Sequence, residues 1–436
     1  MSEQAPATGI LSNSRRLLPD AVWSLANSVL GVVAGLAVLK IIGAMVPAED
    51  YGRAGLALGV VGLLTQFIAN PILSTQLRLF FEHAARGTGG AHFAALEKLL
   101  VKTSVFILVA YIGVALGYRF TGNHSYWALL LPAGLLIAVQ PHLSAHLNLL
   151  EAQRRYRAMT MAQSASKLLQ VPVLFILLYA ATVSKASAVV LSQALALLVV
   201  LLWLLSTRER LPAAQTGAAP PSVTAFDSFS GALYAFSLFS WVLATSARYF
   251  IDHFRDAKEV GVYVLNYALW SIPFTVLNGW IDSFSRPRLY TRAAAGNWAQ
   301  VVEVMRAKLM LAFGISLLGA GAIYFLGETI SRLLIGQNYW AGLQLVMLIA
   351  LAHVFFVTGH TASTIFVAAK EAQPLWITTL LAAALNVGLN LYYIPKFGII
   401  AAAASTLAAY AFWTVLLLIS AFLMKARLRD SILRSV

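Results

Sequence analysis

Twelve apolar blocks, each about as long as a helix that crosses a bilayer, run the length of this chain and leave it one kind of solvent. They cover roughly 21–46, 54–80, 99–118, 126–149, 164–182, 186–205, 229–251, 260–284, 307–327, 340–366, 374–394 and 398–424. About 20 helical residues span a hydrocarbon layer of about 30 Å. Backbone amides in hydrocarbon must bond internally, so blocks of this length are α-helices; the two-residue alternation of a membrane β-barrel is absent. Of the 436 residues 60% are hydrophobic and 11% charged, with a mean hydropathy of +0.77. A water-soluble fold cannot hide so much apolar surface. The sequence predicts an all-α polytopic membrane protein with about 12 transmembrane helices.

The charges set an orientation. Thirty-one Lys and Arg against 17 Asp and Glu give a net charge of +14. Such a surplus suits nucleic acid as well as a membrane, and its placement decides between them. Counted from a cytoplasmic N-terminus, 22 basic residues fall in or beside the inner connections, 8 in the outer ones, and Lys40 within the first block. That is the positive-inside asymmetry. Both termini are expected in the cytoplasm of a bacterial inner membrane, with membrane lipids and not nucleic acid as neighbours. Cysteine is absent, which removes disulfides, thiolate metal sites and cysteine nucleophiles. The sequence has no Gly-rich phosphate loop, zinc-type His/Glu motif or nucleophile elbow. No catalytic residue, metal or cofactor is expected. Arg15 and Arg16 sit before an apolar stretch as in a twin-arginine signal, but that stretch is too long for a signal core.

The longest polar interruption, 206–228, contains Arg208, Glu209, Arg210, Pro220 and Pro221. It divides the blocks six and six, giving an N-terminal lobe over 1–205, a cytoplasmic linker over 206–228 and a C-terminal lobe over 229–436. The two halves share a pattern. After the first block the chain runs from Pro47 to Gly52 into a helix; after the seventh it runs from Asp256 to Gly261 into another. Asn70 and Arg78 follow Gly52 by 18 and 26 residues, and Asn278 and Arg286 follow Gly261 by 17 and 25. A parallel duplication accounts for this spacing.

Polar residues recur at helical spacing inside the blocks. Gln66, Asn70, Ser74 and Arg78 repeat every four residues, one slanted stripe on a helix of 3.6 residues per turn. Asn266, Trp270, Asn278, Asp282 and Arg286 mark the eighth block, Gln140, Ser144 and Asn148 the fourth, and Asn386 and Asn390 the eleventh. Facing lipid would be costly, so these stripes are expected to face the bundle interior. Two readings stay open: cavity lining, or hydrogen-bonding between helices. Arg78 and Arg286 either grip a phosphate bidentately or snorkel to lipid headgroups. Lys40 either contacts an anionic headgroup or snorkels outward. Arg248 and Asp252, four apart, can pair on one face. His353 and His360 read as core histidines or as a proton relay.

At these residues the chain resembles the polysaccharide (Wzx-type) flippases of the multidrug/oligosaccharidyl-lipid/polysaccharide exporter superfamily. The likeness rests on Pro47 to Gly52, on Ala247 to Asp252 with Val260 to Tyr263, and on Asn390 to Ala401 through Pro395 and Gly398. Ala247 stands where that family usually has an acid, which weakens an Asp–Arg pairing there, and Ala401 replaces a usual glycine. The resemblance implies two six-helix lobes around a central cavity, opened alternately to each side. It implies an undecaprenyl-diphosphate-linked oligosaccharide as substrate, other glycan-export proteins as partners, and a substrate path drawn from Lys40, Gln66, Asn70, Arg78, Arg248, Asp252, Asn266, Asn278 and Arg286. The alternatives are a cation-coupled exporter of the same fold, a lipid-linked peptidoglycan precursor flippase (which usually has fourteen helices), a membrane glycan polymerase or ligase, and a scaffold in a glycan-export assembly.

Overall fold

The computed structural model describes residues 14–85, 89–120, 127–153, 155–181, 183–207, 228–369 and 371–434. The linker expected at 206–228 lies almost wholly outside the described residues. The chain forms α1 (Ser14–Met45), α2 (Ala48–Ala85), α3 (Gly89–Phe120), α4 (Trp127–Ala152), α5 (Tyr156–Ala180), α6 (Lys185–Ser206), α7 (Ser228–Phe254), α8 (Ala257–Ala294), α9 (Trp298–Leu334), a 3₁₀ turn (Gln337–Tyr339), α10 (Leu343–Ala368) and α11 (Gln373–Arg434). The last is two helices: Gly398, with φ 55° and ψ −138°, breaks it into α11a (373–397) and α11b (399–434). The fold is therefore an all-α bundle of twelve helices. Among the described residues seven stretches are long and apolar enough to cross a membrane by length and composition, counting α11a and α11b as one.

Sequence chemistry sets where helices start. Ser184 caps α6 by accepting from the Ser187 amide, and Asn297 caps α9 through the Gln300 amide. The Asp256 carboxylate accepts from the Glu259 amide at 2.7 Å, opening α8. These bonds satisfy amides that have no partner within the helix. α2 and α8 are each 38 residues, about 57 Å at 1.5 Å per residue, and so overrun a bilayer. The apolar blocks at 54–80 and 260–284 are shorter because Glu49, Asp50, Arg288 and Arg292 extend these helices into polar surroundings. Outward faces are apolar: Phe106, Leu131, Tyr179 and Phe325 each expose more than 70% of their surface. Only lipid makes that tolerable.

With the α1–α2 and α7–α8 turns drawn uppermost, α1 to α6 pack among themselves and α7 to α11b among themselves. The two groups meet where α2 crosses α8 and α7 and where α1 reaches the top of α9. At the α2–α8 crossing Gly52 and Gly261 face each other. A Cβ on Gly52 would lie 1.8 Å from the Ala257 oxygen and 2.9 Å from the Gly261 nitrogen. A Cβ on Gly261 would lie 1.8 Å from the Ala48 oxygen and 3.0 Å from the Gly52 nitrogen. The contacts are reciprocal to a tenth of an ångström, as an internal two-fold requires. The two glycines at matching places in the repeat are thus the two that meet.

Candidate functional site

Below the glycine crossing the two groups are joined on one side and parted on the other. On the joined side, the Trp241 indole donates to the Gly59 oxygen at 2.9 Å and the Tyr249 hydroxyl to the Leu56 oxygen at 3.0 Å, fastening α7 to α2. The equivalent seam, α1 against α8, makes few contacts. A cavity of about 470 Å³ opens there, between α1, α5 and α8. Gly31, Ala34 and Gly35 form its α1 wall, Ile272, Thr275, Val276 and Gly279 its α8 wall, and Lys167 and Gln170 reach in from α5. Lys167 is the one charged residue among the described residues that line it. Its ammonium lies against the α1 backbone at Gly31, where a Cβ would come within 2.7 Å of it.

Lys167 is eleven residues from the start of α5 and thirteen from its end, about midway through the layer. By sequence it stands near the inner end of the fifth apolar block and is one of the 22 basic residues counted with the inner connections. An ammonium at that depth needs a polar outlet or an anion, and the cavity provides room for either.

A second polar group sits at the lower side of α8. Lys308 of α9 donates to the Asp282 carboxylate at 2.6 Å and to the Thr364 hydroxyl of α10 at 3.3 Å. The side chains are 2% and 7% exposed; these two are the only buried Lys, Arg, Asp or Glu among the described residues. The other Asp282 oxygen lies 3.9 Å from Nδ1 of His360, which is 32% exposed. Asn278 touches the same His360 nitrogen at 3.2 Å, one residue from the cavity wall at Gly279. Lys308, at the start of the ninth apolar block, is another of those 22 inner basic residues by sequence; the structure buries it. Burial is possible because its charge is matched.

The expected residues fall in several places. Gln66 is half-buried on α2. The side chains of Asn70, Arg78 and Arg286 lie outside the described residues. Asn278 stands at the cavity edge. Asn266 is fully buried and gives its amide to the Val262 and Tyr339 oxygens, so it ties the 3₁₀ turn to α8 and lines no described cavity. Lys40 is exposed at the upper seam, where its ammonium donates to the Leu333 oxygen. That carbonyl belongs to the last turn of α9, which has no helical partner and favours a cation. Arg248 and Asp252 are half-buried on α7, Arg248 close enough to Tyr51, Tyr263, Tyr267 and Tyr410 for its charge to act on their hydroxyls.

Other stripes are internal bonding. Asn390 donates to Asn386 and Ser246 donates to the same oxygen; Asn148 reaches the Leu73 oxygen at 3.5 Å. His353 is a core histidine, bonded to the Ile349 oxygen and ringed by Tyr267, Phe274, Phe356 and Tyr410. Glu97, which by sequence reads as a solvated charge on the inner side, instead approaches His146 at 3.6 Å. Sequence reasoning missed Lys167 and Lys308. Their signal was an ammonium inside an apolar helical stretch, lost when charges were tallied by nearest loop.

No family model matches the sequence, and no curated protein matches it. Solved structures do. The chain is similar to the inward-facing conformation of a multidrug resistance MATE family transporter of the MOP superfamily, with a TM-score of 0.70 over 94% of this chain and 99% of that one at 13% identity. The outward-facing conformation of such a transporter gives 0.64. The lipid II flippase MurJ, inward closed, gives 0.68 over 92% and 87% at the same identity. A MOP superfamily transporter from Pyrococcus furiosus gives 0.64 over 94% of each chain, again at 13%. The chain thus has the fold of MOP superfamily transporters, a multi-pass membrane fold, and these neighbours are transporters and flippases.

Proposed function

We propose that this protein is a flippase that carries undecaprenyl-diphosphate-linked oligosaccharide units from the cytoplasmic to the periplasmic face of a bacterial inner membrane. The helix groups α1–α6 and α7–α11b act as two lobes joined through 206–228, with the lower face cytoplasmic in keeping with the charge asymmetry. The observation that carries the reading is the one-sided opening. The α2–α7 seam is fastened while its α1–α8 counterpart leaves a cavity, apolar on its helix walls and cationic at Lys167.

A lipid-linked diphosphate has two needs that such a seam meets together. Its hydrocarbon tail must stay in lipid, which a lateral gap lined by Ala34, Val38 and Val276 allows. Its diphosphate must find a cation in a place of low dielectric, where an ammonium contributes more than in water. Arg78 and Arg286 belong to the lower ends of α2 and α8 and would receive the headgroup before Lys167 does. Binding through several weak polar contacts lets cargo leave as well as enter. Transport then proceeds by rocking of the lobes, the glycine crossing opening as the lower side closes.

A deletion strain tests this directly. Complete undecaprenyl-linked units should accumulate on the cytoplasmic face and clear when the protein is restored. Units that reach the outer face but stay unpolymerised would point to a polymerase or ligase. An unchanged glycan-lipid pool would point to an exporter of other cargo.

A further inference from the structure

Between α9 and α10 the chain crosses the top of the molecule, and its contacts there are divided between the two helix groups. The crossing runs between two glycines, Gly336 with φ 74° and Gly342 with φ 91°, in a region of backbone space that glycine enters without a Cβ penalty. Neither glycine is crowded. A Cβ on Gly342 would meet nothing within 4 Å, and one on Gly336 only the Gly43 oxygen at 3.8 Å. These glycines therefore serve the path of the backbone, as hinges at the two ends of a short strap that contains the 3₁₀ turn.

The strap grips both sides through one residue. The Asn266 amide of α8 donates to the Tyr339 oxygen at 2.8 Å, while the Tyr339 hydroxyl donates to the Val46 oxygen, just past the end of α1, at 2.9 Å. The Tyr339 ring is fully buried and stands edge-on to Tyr51 of α2, with centroids 6.3 Å apart. Two more contacts join the strap and the end of α9 to α1. A Cβ on Gly43 would lie 2.6 Å from the Ile335 oxygen and 2.7 Å from its Cα, and the Lys40 ammonium donates to the Leu333 oxygen. Lys40, Gly43 and Val46 are three apart along the chain, and their partners Leu333, Ile335 and Tyr339 rise in step with them.

We propose that residues 335–342 form a latch over the outer end of the α1–α8 cavity, with Tyr339 the bolt that crosses from one lobe to the other and whose release opens that cavity to the outer face. The α1 wall of the cavity reaches up to Val38, and the latch contacts begin at Lys40, two residues above it. The bonds differ in what rocking does to them. Asn266 and Tyr339 belong to one lobe, so their bond persists and carries the strap with α8. The Val46 bond, the Gly43 contact and the Lys40 bond join the lobes and must break when α1 and α9 part at the top. Glycine hinges let the strap keep its hold on α8 while α1 moves away. The inference rests on the rocking of two lobes described above and does not depend on the cargo.

The absence of cysteine allows the test in the full chain. Val38→Cys places a thiol on the cavity wall just below the latch, and an impermeant maleimide is applied outside right-side-out membrane vesicles. Tyr339→Phe removes the hydroxyl and keeps the ring. Labelling should then accelerate about 2- to 12-fold, the population change that follows from losing one neutral hydrogen bond. Tyr51→Phe, in the neighbouring ring, should leave the parental rate. An unchanged rate in a correctly inserted Tyr339→Phe protein overturns the proposal. So does an equal rise in Tyr51→Phe, because general loosening of the packing would then account for both. The readout is accessibility, so a carrier of other cargo would still show the rise, while a latch that fails this test leaves the glycan-lipid result of the deletion strain as it stands.

Discussion

Changing Gly52 to alanine should force the upper ends apart and hold the protein open to the outside. The added Cβ would sit 1.8 Å from the Ala257 oxygen, about 1.6 Å inside the 3.4 Å at which such atoms ordinarily touch. The obstructing atom is backbone in the first turn of α8, so no side chain can rotate away. Relief requires α2 and α8 to separate by more than an ångström along their crossing. Overpacking of this kind costs about 1–3 kcal/mol, and the cost falls only on the closed state, so the outward-open population should rise about 5- to 150-fold relative to closed. Val264→Cys in the cysteine-free chain reports it. Val264 is 5% exposed and its methyls pack within 3.3 Å of a Cβ built on Gly55, so an impermeant maleimide applied outside reaches it only when the crossing parts. Labelling should accelerate by at least about tenfold in Gly52→Ala, the middle of that range. Gly261→Ala should act alike, and the double variant should add much less than the sum, because both methyls enter one gap. Unchanged labelling in a correctly inserted Gly52→Ala protein would refute the claim that this crossing closes the upper side.

Lys167→Gln should weaken binding of a lipid-linked diphosphate by about 10- to 100-fold, the loss of one charge-assisted hydrogen bond, with Lys167→Arg retaining part of it; equal affinity by titration calorimetry in nanodiscs would remove Lys167 from the path. Asp282→Ala should destabilise the protein by about 3–5 kcal/mol by stranding the Lys308 ammonium, seen as a lower melting temperature in detergent, whereas Asp282→Asn with Lys308→Met should cost less than that single change. Asn266→Leu should cost about 1–3 kcal/mol, since it leaves the buried Tyr339 oxygen without its donor, measured the same way. Arg78→Ala combined with Arg286→Ala should abolish glycan export while insertion stays normal; export at the parental rate would end the idea of a diphosphate grip at the lower helix ends.

How much of this was legible in the sequence depends on which interactions have a period. Twelve helices were readable because hydrocarbon demands about 20 apolar residues in a row, and the break at Gly398 falls on the first residue of the twelfth block. The match of Gly52 with Gly261 was visible as spacing. That the two glycines touch was not, since spacing along a chain says nothing about which helices cross. Polar stripes were visible as a four-residue rhythm, but Asn266, Asn386 and Asn390 use theirs within one helix group, and periodicity cannot tell a bonded amide from a cavity wall. Lys167 and Lys308 were obscured for a different reason. Each lies within about three turns of a helix end, so a count by nearest loop files it with surface charges. Only the third dimension shows that one ammonium faces an opening and the other a carboxylate 26 residues away.

The two halves have kept different things, and the difference bears on mechanism. Where the repeats meet, the backbone contact is reciprocal, because a crossing this close admits glycine alone on either side and neither copy can drift. Away from the crossing they diverge: Trp241 and Tyr249 fasten one lateral seam, while the matching seam between α1 and α8 is left to small residues and Lys167. The buried Asp282–Lys308 pair also belongs to one half, and in the corresponding region of the other, Glu97 and His146 approach across α3 and α4 instead. A symmetric hinge with asymmetric sides suits a carrier whose cargo enters laterally from one direction.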